Sequence, residues 1–355
     1  MRTDDATVLE GRPLEHLAGD ALFLVWGAPS VGPRSRVFAR ELGIDVRFVT
    51  SLARRGAITA PIRYASQAVK TTRLLLQRRP RLVFVQSPPS LAVMVVGLYA
   101  VLTGACYVVD AHSAAMSPVW TRPRVLHRAL ARRAAATIVT NDHLARTVRS
   151  WGGRALVIRD IPTTFPDLEA VQLPDAFNVM VVSTFAPDEP LEQVVEAARA
   201  LPEIRFHVTG DPARAGDRLP GRVPDNVRFT GFLPDPAYYG LMQASQAVMC
   251  LTTRDHTMQR GACEALSLGR PIVTSDWPLL RTYFHLGTVH VDAAAEAIRA
   301  GIEEMVRDHA RYTTEIERLQ MEQGQEWRGA VEELIRVVDP CVRMRSRRGR
   351  YGRKD

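Results

Sequence analysis

Cysteine is scarce. The 355 residues hold four, Cys106, Cys250, Cys263 and Cys341, and no pair has Cys-x-x-Cys spacing. A zinc ribbon and a small disulfide-stapled scaffold are therefore excluded. Cys106, Cys250 and Cys263 sit in or beside apolar runs, so buried thiols are expected there rather than disulfides or zinc ligands. That usage favours a reducing cytosol. No secretory leader is expected, since Met1 to Asp20 is polar and acidic and is expected to be a loose arm. No Asp-x-Asp pair stands at the end of a strand-like run, so no Mg²⁺ or Mn²⁺ site and no other cofactor is expected.

One uncharged run, Phe84 to Val109, is long enough for a bilayer, which takes roughly 20 apolar residues. Gln86, Ser87, Pro88, Pro89 and Ser90 break its start, and Gly104 splits its end. The run is expected to be a strand, a loop, a buried helix (Leu91 to Thr103) and a second strand, not a membrane span.

The formal net charge is +8, of which the segment from Cys341 onward carries +6. Such a tail is expected to be disordered, and to meet polyanions or anionic lipid heads if it has a partner at all. Tyr351 is its single aromatic, too few for a base-stacking platform, so nucleic acid is not an expected partner.

What is present is alternation. Short apolar runs (Ala21 to Trp26, Leu82 to Gln86, Ala136 to Thr140, Phe177 to Val182, Ile204 to Val208) are separated by helical patterns along nearly the whole chain. Continuous apolar runs of this length suit buried parallel strands, and strands alternating with helices argue for doubly wound α/β domains. A proline-rich acidic segment follows Ile161 and suits a linker. The loop Gly27, Ala28, Pro29, Ser30 after the first strand lacks Gly-x-Gly-x-x-Gly spacing and, with Pro33, carries two prolines, so it gives only a weak dinucleotide signal. Polar clusters stand at two further strand ends: Asp110 with His112, and Ser183 with Thr184. Open α/β sheets bind ligands at such ends. Basic residues concentrate at Lys70 to Arg81 and Arg122 to Arg133.

The richest stretch runs from Arg254 to Asp276. It has a polar loop, a short helix with Glu264 near its start, a Gly269 stop and a strand from Pro271. A helix start after a strand leaves N–H groups pointing outward, where they can meet anions or sugar hydroxyls. Glu264, Ala265 and Leu266 followed by Gly269, Pro271, Ile272 and Val273 resemble the sugar-nucleotide site of glycosyltransferase family 4. The departure is His256, which stands where that family has a first Glu.

The resemblance implies a GT-B fold: two Rossmann-like doubly wound parallel-sheet domains facing a central cleft, with a C-terminal helix crossing back to the first domain. The implied domains are 1–163 for the acceptor, a linker at 164–176, 177–324 for the donor, a crossover helix at 325–340 and the tail at 341–355. It implies a retaining transfer from a nucleotide-sugar donor to a glycan or lipid-linked acceptor, in the cytoplasm or at the inner face of a membrane. Glu264 would hold ribose hydroxyls, His256 would meet the transferred sugar, and His112 would lie near the anomeric centre. Thr257, Met258, Gln259, Arg260 and Gly261 would line the donor. So would Ser183, Thr184, Gly231, Phe232, Leu233 and Arg254. Gly27, Ala28, Pro29, Ser30 and Asp110 would lie on the acceptor side.

The family usually has an Arg and a Lys on the first donor-domain loop, where this chain has Pro187, Asp188 and Glu189. Arg254, Arg260 or Arg214 would then have to neutralise the diphosphate. A sugar-nucleotide epimerase and a non-catalytic GT-B protein that binds a sugar or a partner remain as alternatives.

Overall fold

The computed structural model describes residues 13–17, 19–28, 33–51, 59–117, 119–165, 167–216 and 222–351. The chain divides into two compact units, 1–161 with 326–355, and 162–325.

The first unit holds six parallel strands: β1 (Ala21–Trp26), β2 (Asp45–Val49), β3 (Leu82–Ser87), β4 (Cys106–Ala111), β5 (Ala136–Val139) and β6 (Ala155–Val157), ordered β2-β1-β3-β4-β5-β6. Most are buried along their length, as strands covered on both faces must be. The helices are α1 (Pro33–Leu42), α2 (Ala60–Arg78), α3 (Ser90–Thr103), α4 (Arg124–Arg133) and α5 (Asp142–Ser150). Phe38 and Leu42 of α1 fill one face of the sheet, with Trp327, Val331, Leu334 and Val338 from the end of the chain. Leu75 of α2, Val93 and Val96 of α3 and Val148 of α5 fill the other.

The second unit repeats the plan. Its strands are β7 (Asn178–Val181), β8 (Arg205–Thr209), β9 (Val227–Gly231), β10 (Ala247–Cys250), β11 (Ile272–Ser275) and β12 (Thr288–Val291), ordered β12-β11-β10-β7-β8-β9. Helices α6 (Leu191–Arg199), α7 (Asp235–Ala244), α8 (Arg260–Ser267), α9 (Pro278–Tyr283) and α10 (Ala295–Arg307) cover it. A last helix, α11 (His309–Tyr351), begins here with Tyr312 and Ile316 in the core. It ends in the first unit, where Trp327 packs edge-on to Phe38 at 5.6 Å. Both units are therefore doubly wound, and the C-terminal helix returns to the first.

Four local expectations are corrected. The helix over Leu91 to Thr103 is not fully buried: its uncharged outer side is open to solvent at Leu98, Val101 and Leu102. Cys106 is not a free thiol but is disulfide-bonded to Cys341 on α11. Apolar neighbours signal burial, and 235 residues of separation hide the partner that the returning helix brings. The inference of a reducing compartment loses that support; Cys250 and Cys263 are buried free thiols. The basic tail is helical as far as Tyr351. Of the expected loose arm, Leu14 and Leu17 are buried in the core. Among the described residues no helix is long and apolar enough to cross a membrane.

Candidate functional site

In the second unit, strand order reverses between β7 and β10, which both lie inside the sheet. Loops leaving neighbouring strands at such a reversal diverge and open a crevice. Here the loops after β7 and β10 are tied together. Asp188 accepts from Thr252 Oγ1 at 2.8 Å, its carbonyl accepts from the Thr253 N–H at 2.8 Å, and its carboxylate lies 3.3 Å from Arg254.

Glu264 is the buried centre of this end of the unit. Arg260, one turn earlier on α8, donates Nε to its Oε1 at 2.8 Å. Tyr238 and Tyr239 of α7 each donate a hydroxyl at 3.2 Å, one to each oxygen. Burial pushes the Glu264 carboxyl above its ordinary range, and Arg260 and the two tyrosines pull it only part of the way back. The helix bearing it sits close to β10 because residue 261 is glycine. A Cβ there would stand 2.8 Å from both Cys250 Sγ and Val182 Cγ1.

The loop after β7 closes on its own carboxylate. Glu189 accepts from Ser183 Oγ (2.7 Å), Thr184 Oγ1 (2.7 Å), Thr184 N (2.9 Å) and Ala186 N (3.3 Å). Successive N–H groups converging on one anion form the kind of concavity that also takes a phosphate. Gly210 borders it at φ +97°, where a Cβ would collide with the Ser183 carbonyl and touch Phe185. Gly210→Ala is expected to lower unfolding free energy by about 1–3 kcal/mol. A urea midpoint equal to wild type would show that the loop can yield.

Other expected donor residues spread around this end. Gly231 adopts φ +74°, Phe232 beside it is 82% exposed, and Leu233 is partly buried. His256 adopts φ +56°, a conformation histidine visits more readily than most side chains, and its ring approaches Asp255 at 3.5 Å. Thr257 donates to the Asp255 carbonyl, Met258 packs against the core and Gln259 precedes α8. Arg214 lies on the short helical turn after β8.

The first unit holds a second polar cluster at its own strand ends. Asp110 of β4 is buried and lies 3.3 Å from His112 Nε2, 3.2 Å from Ser35 Oγ and 3.8 Å from Arg34 Nε. Gln86, its register partner on β3, accepts from Ser35 at 3.0 Å. Burial alone would raise the Asp110 carboxyl, but His112, Arg34 and Ser35 together hold it below the usual carboxylate range. Gly27 and Ala28 follow β1, whereas Pro29 and Ser30 lie outside the described residues.

Sequence reasoning missed Tyr238, Tyr239, Ser35, Arg34 and Gln86. None belongs to a spaced motif, and only the meeting of α7 with α8, or of α1 with β3 and β4, makes them neighbours. Among the described residues no group of three or more His, Cys, Asp and Glu could hold a metal ion.

The comparisons agree with the two-unit parallel-sheet fold. A glycosyl transferase 4-like domain matches residues 13–164, and a glycosyl transferase-like domain matches residues 189–333. No curated protein matches the chain by sequence. Among solved structures, HepE of Anabaena in complex with UDP and glucose is 14% identical, with TM-score 0.64 over 90% of this chain and 99% of its own. Sucrose-phosphate synthase of Thermosynechococcus elongatus is also 14% identical, with TM-score 0.66 over 90% of this chain and 98% of its own. A UDP-N-acetylglucosamine 2-epimerase fold from Listeria monocytogenes, described as putative, is 12% identical, with TM-score 0.57 over 83% and 91%.

Proposed function

The chain belongs to the GT-B glycosyltransferases, with a 4-like domain before a glycosyl transferase-like one, and from that premise we propose a retaining transfer from a UDP-sugar to a glycan or lipid-linked acceptor of the cell envelope. The observation that carries the donor side is Glu264: a buried carboxylate fixed by Arg260, Tyr238 and Tyr239 on the helix that the family motif marks. UDP is the first candidate because HepE holds UDP and glucose. The Phe232 ring is exposed enough to stack on a base. Arg254 and Arg260 are the cations on the loop after β10 and the start of α8, with side chains 65% and 35% exposed. They would meet the diphosphate as its charge develops. His112, oriented by Asp110, would serve the transferring sugar. On this reading the enzyme works in the cytoplasm, peripheral at the inner face of the membrane.

The test is thermal unfolding of wild type and Glu264→Gln with UDP, GDP, ADP and TDP. A nucleotide at about a hundredfold its Kd adds roughly 2.7 kcal/mol to the wild type. Stabilisation of the wild type by one nucleotide, lost in the variant, supports the reading. Equal stabilisation of both removes Glu264 from the site.

A non-catalytic binding protein is favoured by one observation: Glu189 already fills the donors of the loop after β7. No response to any nucleotide, in either protein, would favour it over the transferase.

A further inference from the structure

Helices α2, α3 and α4 leave an apolar surface uncovered. α3 packs beside both α2 and α4, and the inner sides of α2 and α3 fill the core. Their outer sides are apolar as well. On α2, Ile62, Val69 and Leu76 are all exposed and recur every seven residues, which aligns them in one stripe. On α3, Leu98 is 61% and Leu102 76% exposed, and Val125 at the start of α4 is 78% exposed. No charged residue occurs anywhere in α3. A helix side that meets only water usually carries charges, and a joined apolar surface of this kind marks a contact.

The surroundings carry charge of one sign. Between Asp45 and Asp142 the chain has fourteen Lys and Arg but a single acidic residue, Asp110, and Asp110 is buried in the first unit's polar cluster. α2 supplies Arg63, Lys70 and Arg73, and α4 supplies Arg124, Arg128 and Arg132. The small net charge of the remaining chain conceals this segregation. Leucine and valine side chains standing among cations suit an anionic lipid surface. The apolar groups enter the headgroup boundary while the guanidinium and ammonium groups stay at the phosphates. A second copy of the chain suits the face less well, because self-pairing would press like charges together.

We propose that the α2–α3–α4 face docks the first unit onto an anionic bilayer, lying on it rather than crossing it. The inference deepens the reading of a lipid-linked acceptor and rests on it for the purpose of docking. The chemistry comes from the side chains themselves.

The experiment is co-sedimentation of the full chain with phosphatidylcholine vesicles, with and without phosphatidylglycerol, at low and high salt. The variants are Leu98→Ser/Leu102→Ser and Lys70→Gln/Arg73→Gln. The wild type should pellet with the anionic vesicles, weakly with neutral ones, and less at high salt. Leu98→Ser/Leu102→Ser should lower partitioning at least about tenfold, because two leucines no longer enter the boundary. Its Tm should be unchanged, since both side chains are already exposed. Binding that survives this variant would assign the attraction to the arginine tail and overturn the proposal. A wild-type dimer that the variant dissolves, with no vesicle binding, would make the face a self-interface and overturn it too. Nucleotide stabilisation is read separately, so a failure on vesicles leaves the transferase reading standing.

Discussion

Glu264→Ala is expected to unfold at lower urea, with about 2–3 kcal/mol lost at pH 7, chiefly from the two tyrosine hydroxyls left without their acceptor. The carboxylate is buried and accepts from Arg260, Tyr238 and Tyr239. Removing it leaves a partly buried guanidinium and two hydroxyls without their acceptor. Losing one partner of a buried pair costs more than the pair contributes. Glu264→Gln keeps one carbonyl oxygen and should lose less, roughly 1–2 kcal/mol.

The pH dependence separates charge from shape. The Glu264 carboxyl titrates above its ordinary 4.5 in the fold. A raised acid contributes its stability in full below the unfolded value and loses it as pH rises through the folded one. The wild type's advantage over Glu264→Gln should therefore be larger near pH 4 than near pH 8. If Glu264→Ala matches the wild-type midpoint at every pH, the three contacts hold nothing together and Glu264 cannot be a fixed donor ligand.

Much of the architecture was legible in the sequence because parallel strands write themselves as continuous apolar runs. Leu82–Ser87 and Ala136–Val139 are bounded by loops and buried throughout. The returning helix came from the resemblance, which put it at 325–340; the helix itself is longer and runs from His309 to Tyr351. The failures share one cause: they depend on what covers an element. Leu98 and Cys106 lie in apolar sequence, yet one faces solvent and the other meets a cysteine 235 residues away. The site was half legible. Glu264 stood in a spaced pattern, but the tyrosines that hold it come from the helix preceding β10. Glu189 looked like a missing cation; the structure makes it the anion on which its own loop closes.

The second large effect is expected at Asp110. In Asp110→Asn, Arg34 and His112 lose a buried countercharge, at 3.8 and 3.3 Å respectively. Asparagine keeps the shape and an acceptor for Ser35, so the loss at pH 7 should be about 3 kcal/mol, the lower end for breaking a buried pair. Asp110 titrates below its ordinary 3.8 in the fold. A depressed acid contributes stability above the unfolded value and loses it as pH falls through the folded one. The gap between wild type and Asp110→Asn should therefore be open at pH 7 and narrow as pH drops below about 4. Urea midpoints at the two ends of that range measure it. Turnover should fall more than donor affinity, because the aspartate orients His112 and lies in the unit that does not hold Glu264. A gap that stays constant with pH would show that Asp110 acts through packing alone, and its charge would then have no part in orienting the histidine.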